Sequence, residues 1–492
     1  MHVVGLIITD EVYARSFLNV NLLKELNSNK LVLFKARHLN FDEDYRCFFS
    51  KVIEIDFESQ RKNKFILLAL ELQSWKSRKL SKTFSYKFRL RYPSFISLIK
   101  KRNFKSNNKS SIREYSSSSN KFDQANKSQN NFKSQFFGLS FVKLKIRKIL
   151  IQIISLNIIF TMFIKLTGVF RILNNELMKH LKLNNVDLVL LPTGSMMAHD
   201  QIILNSCNQM SIKTYFLMDN WDNLSSKSVF LKRPDFISTW GPQSTLHAIE
   251  IHGFKFKEIF QLGSARFIDY SPDKTEPDES SDTYILFIGS VYRYKELDLL
   301  VKLDEEIEHN SDLKGKLKLI YRPYPGSERI IAMSAMNLKH TFLDSFTAEA
   351  YELELRTKFV GKLKVKLPIP GYYNELIRNS LFCIGGLSSM LLEASLFNKT
   401  YLAIATSEKN NLRSPATYLA NFTHLEEIEL LPNVKICYSI GSLIENFNQT
   451  INQKDLVDSN LIAANLSYFI TTDTRKFGHR LANSINVVQA KQ

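Results

Sequence analysis

The stretch 215-YFLMDNWDNLSSKS-228 runs from an apolar segment into two Asp-Asn pairs. Carboxylates that follow a strand directly can take a proton from a hydroxyl group or hold it by a hydrogen bond. A second apolar segment, 186–191, precedes a histidine and an aspartate. Both places supply candidate catalytic residues: His199, Asp200, Asp219 and Asp222. Tight turns and helix N-caps use the same residue types, so a structural role is the alternative for each.

A second motif, 383-CIGGLSSMLLEASLFNKT-400, has the composition of a phosphate-binding turn. Small residues let the backbone approach an anion, serine hydroxyls donate to phosphate oxygens, and the first turn of a following helix offers free N–H groups. Gly386, Ser388 and Ser389 are therefore candidate phosphate ligands, and Glu393 could accept a hydrogen bond from a ribose hydroxyl. An ordinary glycine turn with a serine N-cap would have the same sequence pattern.

Two further loops favour the phosphate interpretation, since each follows a predicted strand of the same unit. Gly289 and Ser290 end the run 284-YILFIGS-290, while Arg322 and Tyr324 lie in 321-YRPYP-325. Open parallel sheets bind ligands beyond the carboxyl ends of their strands, so the three loops would share one edge. Arg322 is the candidate charge partner of the phosphate.

The elements that position these loops follow an alternating strand and helix pattern, which predicts doubly wound parallel sheets. With 492 residues and 44% apolar content, the chain can fill two such cores. We predict an N-terminal Rossmann-like domain over 1–270, a linker over 271–283 and a C-terminal Rossmann-like domain over 284–458. The helices of 459–492 are expected to pack back toward the N-terminal domain.

The formal net charge of +18 is concentrated in one segment of the predicted N-terminal domain. Residues 74–148 contain 20 Lys and Arg against two acids, whereas the rest of the chain holds 46 of each sign. Part of this segment, about 100–136, is rich in Ser, Asn and Lys, and we interpret it as a basic, partly disordered insertion. A local charge excess indicates a local partner, and we predict an anionic membrane surface bound through residues 74–170.

The segment 137–170 is basic in its first half and mainly Ile, Leu and Phe in its second. Residues 149–166 approach the length of a membrane-spanning helix, but polar side chains interrupt them. An amphipathic helix on a membrane surface fits better, and a long helix buried against the N-terminal domain is the alternative. Earlier in the basic segment, cations interleave with Tyr86, Phe88, Tyr92 and Phe104. No recognisable RNA-binding module accompanies them, so RNA binding is a weaker alternative and no nucleic-acid partner is expected.

Other features narrow the class of protein. The four cysteines are far apart and form no C-x-x-C pair, which argues against a disulfide framework and a zinc site. Asp42-Glu43-Asp44 has D-x-D spacing but lies in an early loop, so we interpret it as a solvated acidic run and predict no metal site. The first residues, MHVVGLIITDE, lack the basic region of a signal peptide and predict a strand. We therefore expect a cytoplasmic protein.

Three stretches resemble a run found in bacterial surface-polysaccharide transferases of the GT-B class: residues 219–227, 234-PDFISTWGPQSTLHAIEIHGF-254 and 261-QLGSARFIDYS-271. The YRPYP and GGLSSMLLEA stretches are similar to donor-domain loops of that class. The resemblance covers about 181–400. It implies that Ser388 and Ser389 hold donor phosphate and that Glu393 binds the nucleotide ribose. Tyr324 departs from the class, which usually has histidine there.

The resemblance implies a metal-independent glycosyltransferase that needs no cofactor. It would move a sugar from a nucleotide-activated donor to a saccharide acceptor, lipid-linked in our interpretation, in cell-surface polysaccharide or lipopolysaccharide biosynthesis. Such an enzyme would work peripherally on the inner face of the cytoplasmic membrane. A related polyol-phosphate transferase of the CDP-glycerol type is one alternative. A non-hydrolysing sugar-nucleotide epimerase and a non-catalytic GT-B scaffold are the others.

Overall fold

The computed structural model describes residues 2–27, 29–39, 43–61, 63–80, 157–270, 283–290, 294–324, 333, 336–349, 370–407, 414–452 and 457–490. The predicted insertion, about 100–136, lies outside the described residues. So do residues 271–282 of the predicted linker and residues 137–156 of the predicted helix 137–170.

Among the described residues, seven parallel strands form an N-terminal sheet in the order β3-β2-β1-β4-β5-β6-β7. They are β1 (Val3–Ile8), β2 (Lys30–Ala36), β3 (Lys51–Ile55), β4 (Leu188–Thr193), β5 (Lys213–Met218), β6 (Phe236–Thr239) and β7 (Ile259–Gln261). The central strands β1 and β4 are fully buried. Their continuous apolar runs are typical of a parallel sheet with helices on both faces.

In the described part of the C-terminal half, six parallel strands form a second sheet in the order β10-β9-β8-β11-β12-β13. They are β8 (Tyr284–Ile288), β9 (Lys318–Arg322), β10 (Thr341–Leu343), β11 (Cys383–Gly386), β12 (Tyr401–Ile404) and β13 (Val434–Cys437). Two doubly wound, Rossmann-like parallel sheets were predicted, and this fold class is confirmed. The bounds given above for the two domains stay predictions.

Helices connect the strands and cover both sheets. In chain order they are α1 (Glu11–Phe17), α2 (Val20–Glu25), α3 (Glu58–Arg61), α4 (Lys64–Leu80), α5 (Asn157–Thr167), α6 (Asn175–Leu183), α7 (Ala198–Gln209), α8 (Pro242–Glu250), α9 (Glu296–His309), α10 (Pro370–Arg378), α11 (Met390–Leu396), α12 (Pro415–Leu419), α13 (Ile440–Asn452), α14 (Ser459–Phe469) and α15 (Phe477–Gln489).

The last helix, α15, packs on the N-terminal sheet. Leu481 and Ile485 are completely buried in the N-terminal core, and Ser484 Oγ lies 3.1 Å from the Tyr215 hydroxyl. Gly478 sits so close to α2 that an added Cβ would lie 2.9 Å from Glu25 Cγ. Because α14 instead packs into the C-terminal core through Leu466, the end of the chain ties the two domains together.

Helices α4 and α5 pack on α7 at one side of the N-terminal sheet. Within the described residues, no single helix is long and apolar enough to cross a membrane. One helix pair, Ile158–Arg171 with Asn175–Leu183, meets the length and composition criteria together, with a bend of 52° between its halves.

Candidate functional site

The candidate site lies where the carboxyl ends of the two sheets face each other. Strand order reverses between β1 and β4 in the first sheet and between β8 and β11 in the second. Open α/β sheets bind ligands at such switch points. We call the space between these edges the interdomain cleft; it is bordered by Arg15, Asp219, Arg266, Ser389 and Glu393.

Arg266 joins the two sides of the interdomain cleft. It lies in the short turn Ala265–Phe267 that follows β7. Its Nη2 donates to Asn220 Oδ1 at 2.7 Å, and its Nη1 lies 3.4 Å from Ser389 Oγ and 3.6 Å from Glu393 Oε1. Burial acts to lower the pKa of Arg266, but Asp219 and Glu393 outweigh it and the pKa lies above its ordinary value. The guanidinium therefore stays charged.

Glu393, the predicted ribose ligand, is 1% exposed and fully engaged by protein groups. Its Oε2 accepts a hydrogen bond from the Tyr270 hydroxyl at 2.7 Å, and its Oε1 lies 3.4 Å from Ser389 Oγ. Burial and the charge of Glu393 raise the pKa of Tyr270, so this hydroxyl remains a donor. A buried carboxylate needs such partners. Glu393 thus links the turn after β11 to Tyr270 and Arg266 of the N-terminal half.

Arg15, on α1, adds a second cation to the cleft. Burial lowers the pKa of Arg15, Tyr373 from α10 opposes that shift, and the neighbouring Arg266 lowers the pKa further. Within the described residues, its buried Nε has no hydrogen-bond partner. Leaving a buried N–H donor unpaired costs free energy.

Arg322, the predicted charge partner of phosphate, approaches the same place from β9. Its Nη2 donates to the Tyr373 hydroxyl at 2.9 Å, and its guanidinium carbon lies 4.6 Å from the centre of that ring. Tyr324, two residues on, is exposed. Arg15, Arg266 and Arg322 therefore converge on the cleft from three separate elements.

Asp219 directly follows β5 and borders the interdomain cleft. It is buried, and its Oδ2 accepts a hydrogen bond from Asn220 Nδ2 at 2.9 Å. Burial raises the pKa of Asp219, although Arg266 and Lys227 act against the rise. A carboxylate with a raised pKa is a better proton acceptor near neutral pH.

The other three predicted catalytic residues make side-chain contacts within their own loops. The Asp222 carboxylate pairs with Lys227 Nζ at 2.5 Å and closes the turn after β5. Asp200 Oδ2 accepts two backbone N–H groups, at 3.0 and 3.2 Å, and so caps α7. His199 is buried, with its Nε2 3.4 Å from Asp200 Oδ1. Of the four candidates, Asp219 is the one coupled to Arg266.

The loop after β8 is hydrogen-bonded to a carboxylate of the same domain, that of Glu296. The backbone N–H of Ser290 donates to Glu296 Oε2 at 3.2 Å, and the Tyr321 hydroxyl donates to the other oxygen of this buried carboxylate. A Cβ added at Gly289 would lie 2.7 Å from the backbone nitrogen of Tyr324. Close packing therefore accounts for the glycine. The backbone N–H of Ser290, a candidate phosphate ligand in the sequence, donates to the Glu296 carboxylate.

The turn after β11 is also organised by protein contacts. The Tyr401 hydroxyl donates to the Gly386 carbonyl at 2.8 Å, and Ser388 Oγ accepts the Met390 N–H at 3.4 Å. Ser389 is the member of the predicted phosphate set that reaches Arg266. The structure thus gathers Ser389, Glu393 and Arg322 at the cleft, whereas Gly289 and Ser290 contact Glu296.

The loop after β5 also contacts the C-terminal half of the chain. The Trp221 ring stacks on Phe469 with 5.8 Å between centroids, and Ser225 Oγ lies 3.0 Å from His424 Nδ1. The loop 219–228 therefore has a double role: it places Asp219 in the cleft, and its Trp221 and Ser225 contact the C-terminal half.

Sequence reasoning missed Arg15, Arg266 and Tyr270. The last two lie inside the stretch 261–271 that carried the resemblance, yet nothing in that pattern marks an arginine in a turn as a ligand. Arg15 lies on a helix without any motif. Within the described residues, no group of three His, Cys, Asp or Glu side chains could hold a metal ion.

No protein-family model matches the chain, and no curated protein matches it. Among solved structures, a protein described as a UDP-N-acetylglucosamine 2-epimerase from Listeria monocytogenes matches with a TM-score of 0.52 and 10% identity, over 100% of this chain and 97% of that one. Another UDP-N-acetylglucosamine 2-epimerase gives 0.50 and 9%, with 100% and 97% coverage. A lipopolysaccharide outer core galactosyltransferase gives 0.43 and 9%, with 99% of each chain covered. The chain thus has a GT-B-like fold of two Rossmann-like domains.

Proposed function

We propose that this protein is a glycosyltransferase that binds a nucleotide-activated sugar in the interdomain cleft and transfers the sugar to a saccharide acceptor. The observation that carries the proposal is the position of Arg266, which touches Asn220 on one side of the cleft and Ser389 on the other. Arginines beside serine hydroxyls bind phosphate by charge-assisted hydrogen bonds. A sugar nucleotide presents such phosphates between its nucleoside and its sugar.

The donor would lie with its diphosphate against Arg266, Arg15 and Ser389. Arg322 and Tyr373 would contact the nucleotide from the β9 side. Glu393 keeps Arg266 in place through Oε1, and its Oε2 accepts the Tyr270 hydroxyl. A ribose hydroxyl would bond to Oε1 in place of Ser389, whose Oγ lies 3.4 Å from that oxygen.

In the reaction, the bond between the anomeric carbon and the phosphate oxygen breaks, and the nucleotide leaves with the electron pair. The acceptor hydroxyl oxygen forms the new bond to that carbon, and its proton passes to Asp219. Fixed arginine charges stabilise the leaving phosphate, and the raised pKa of Asp219 suits proton acceptance.

The proposed acceptor is a lipid-linked saccharide of a cell-surface polysaccharide or lipopolysaccharide, used at the inner face of the cytoplasmic membrane. The resemblance of 219–271 to surface-polysaccharide transferases supports the acceptor class. The basic segment 74–148, with 20 cations against two acids, supports the location.

Thermal unfolding in the presence of UDP, GDP, CDP, CMP or dTDP tests donor binding. One nucleotide should raise the Tm saturably, because binding to the folded state alone stabilises it. Arg266→Met should weaken that binding at least tenfold, and Ser388→Ala/Ser389→Ala should weaken it as well. Arg233→Met is the matched control, since Arg233 precedes β6 at the opposite edge of the sheet. A nucleotide that stabilises every variant equally would place the donor site elsewhere.

Product analysis then separates transfer from the alternatives. With donor and acceptor present, transfer yields free nucleotide and an extended saccharide, whereas an epimerase changes the donor without any acceptor. A CDP-glycerol type transferase would release CMP from a polyol donor. Asp219→Asn should lower transfer by about 10²- to 10⁴-fold while nucleotide binding persists. Binding without turnover on any acceptor would favour a non-catalytic scaffold.

A further inference from the structure

Helix α5 exposes an apolar stripe to solvent. Ile158, Met162 and Leu166 follow one another at a spacing of four residues and are 77%, 56% and 83% exposed. Residues with this spacing lie on one face of a helix. The opposite face carries Phe160 and Ile164, which are buried in the cluster shared with α4 and α7. The stripe is therefore a surface feature of a helix that is otherwise packed.

Hydrogen bonds from α7 fix the chain just beyond the C-terminal end of the helix that presents this stripe. Asn205 Nδ2, from α7, donates to the Val169 carbonyl at 2.9 Å and to the Ile172 carbonyl at 3.1 Å just beyond the end of α5. Thr167 Oγ1 donates back to the Phe163 carbonyl at 2.7 Å. The stripe thus keeps a fixed orientation relative to α7, whose first residues border the edge of the sheet that carries Asp219.

Positively charged residues outnumber acidic ones in the segment that carries the stripe. Residues 157–183 hold four Lys and Arg and a single acid, Glu176, which pairs with Arg37. Lys165 and Arg171 are exposed beside the stripe. In the sequence, residues 74–148 lie N-terminal to α5 and carry 20 cations and two acids. An apolar face with exposed cations beside it complements a surface that is apolar below an anionic layer.

We propose that the stripe Ile158, Met162 and Leu166 on α5 is the docking surface of this protein for an anionic lipid bilayer. The helix lies in the plane of the interface, with the stripe among the acyl chains and the surrounding cations against the lipid phosphates. The docking surface depends on the proposed function only in its biological purpose. That purpose is to hold the sheet edge that carries Asp219 near a lipid-linked acceptor.

Vesicle sedimentation of the full chain tests the proposal. The vesicles are pure phosphatidylcholine or phosphatidylcholine with about one third phosphatidylglycerol. The wild-type protein should bind the anionic vesicles, and rising salt should weaken that binding. Ile158→Gln/Met162→Gln/Leu166→Gln should lower the partition coefficient at least tenfold. The matched control is Phe256→Gln/Leu381→Gln/Leu430→Gln, whose residues are 78%, 50% and 55% exposed elsewhere; it should bind like the wild type.

Three results would overturn the docking surface. The first is no wild-type binding to either vesicle, and the second is equal binding by the stripe variant and the wild type. The third is a stripe variant that loses self-association in sedimentation velocity but keeps vesicle binding, which would make the stripe a contact between copies. Nucleotide stabilisation of the same variants separates the two proposals. Stripe-dependent vesicle binding without any nucleotide effect would uphold the docking and contradict the proposed function.

Discussion

The two sheet edges that form the interdomain cleft differ in how they use charge. The C-terminal edge contributes carboxylates: Glu296 accepts the Ser290 N–H within its own domain, whereas Glu393 accepts the Tyr270 hydroxyl from the N-terminal half. The N-terminal side brings Arg15 and Arg266 into the cleft. In the proposed complex, positive charge for a donor phosphate would therefore come largely from the domain opposite the turn that resembles a phosphate site. Donor binding would then depend on the same arginine that joins the two domains.

Removing Glu393 should break this arrangement most severely. Glu393→Ala leaves Arg266 without its buried partner and Tyr270 without its acceptor. Loss of one member of a buried ion pair costs about 3–5 kcal/mol. We expect a loss of that order in the free energy of unfolding, measured by urea denaturation. Glu393→Gln keeps an acceptor for Tyr270 and should lose less. Equal losses in both variants would show that the charge, rather than the hydrogen bond, dominates.

A substitution at Gly289 tests whether close packing leaves no room for a ligand at the loop after β8. A Cβ there would meet the backbone nitrogen of Tyr324 at 2.7 Å and the Pro323 Cα at 2.9 Å. Backbone atoms cannot move aside cheaply, so Gly289→Ala should lower the free energy of unfolding by about 1–3 kcal/mol. Gly371→Ala is the control, because nothing lies within 4 Å of its added Cβ. A Gly289→Ala variant as stable as this control would mean that the loop is open enough for phosphate.

The sequence predicted the fold better than the site, for a physical reason. Apolar periodicity determines strands: the apolar segment 186–191 overlaps β4 (Leu188–Thr193), and the run 284–290 contains β8 (Tyr284–Ile288). A ligand site depends on contacts between distant residues. Nothing near Arg266 in the chain indicates Ser389, 123 positions away. Asp200 had the right type and position for catalysis, but its carboxylate caps α7, a role that local sequence equally permits.

Arg15 tests whether the N-terminal side contributes to anion binding. Arg15 is close enough to Arg266 for the two charges to interact, so a phosphate bound at Arg266 should also be attracted by the Arg15 guanidinium. Arg15→Met should weaken nucleotide binding about tenfold, equivalent to roughly 1.4 kcal/mol. Isothermal titration with the stabilising nucleotide measures this change. Arg15→Lys, which keeps the charge, should recover part of the affinity. Unchanged affinity in Arg15→Met would assign phosphate binding to Arg266 and Arg322 alone.

The contribution of Asp219 to the pH dependence of stability is the smallest of the stability and binding effects expected here, and it tests the electrostatics of the N-terminal edge. Burial raises its pKa, so the folded protein binds more protons than the unfolded chain from about pH 4 up to the raised pKa. Wild-type stability should therefore fall as pH rises through that window, by at most about 1.4 kcal/mol per pH unit for one group. Asp219→Asn cannot titrate and should lack this contribution, so it should become more stable relative to the wild type as pH rises. Asp298→Asn, at an exposed site on α9, should keep the wild-type slope. If Asp219→Asn retained that slope in urea denaturation at several pH values, the arginines of the cleft would offset the burial of Asp219, and its carboxylate would be a weaker proton acceptor than proposed.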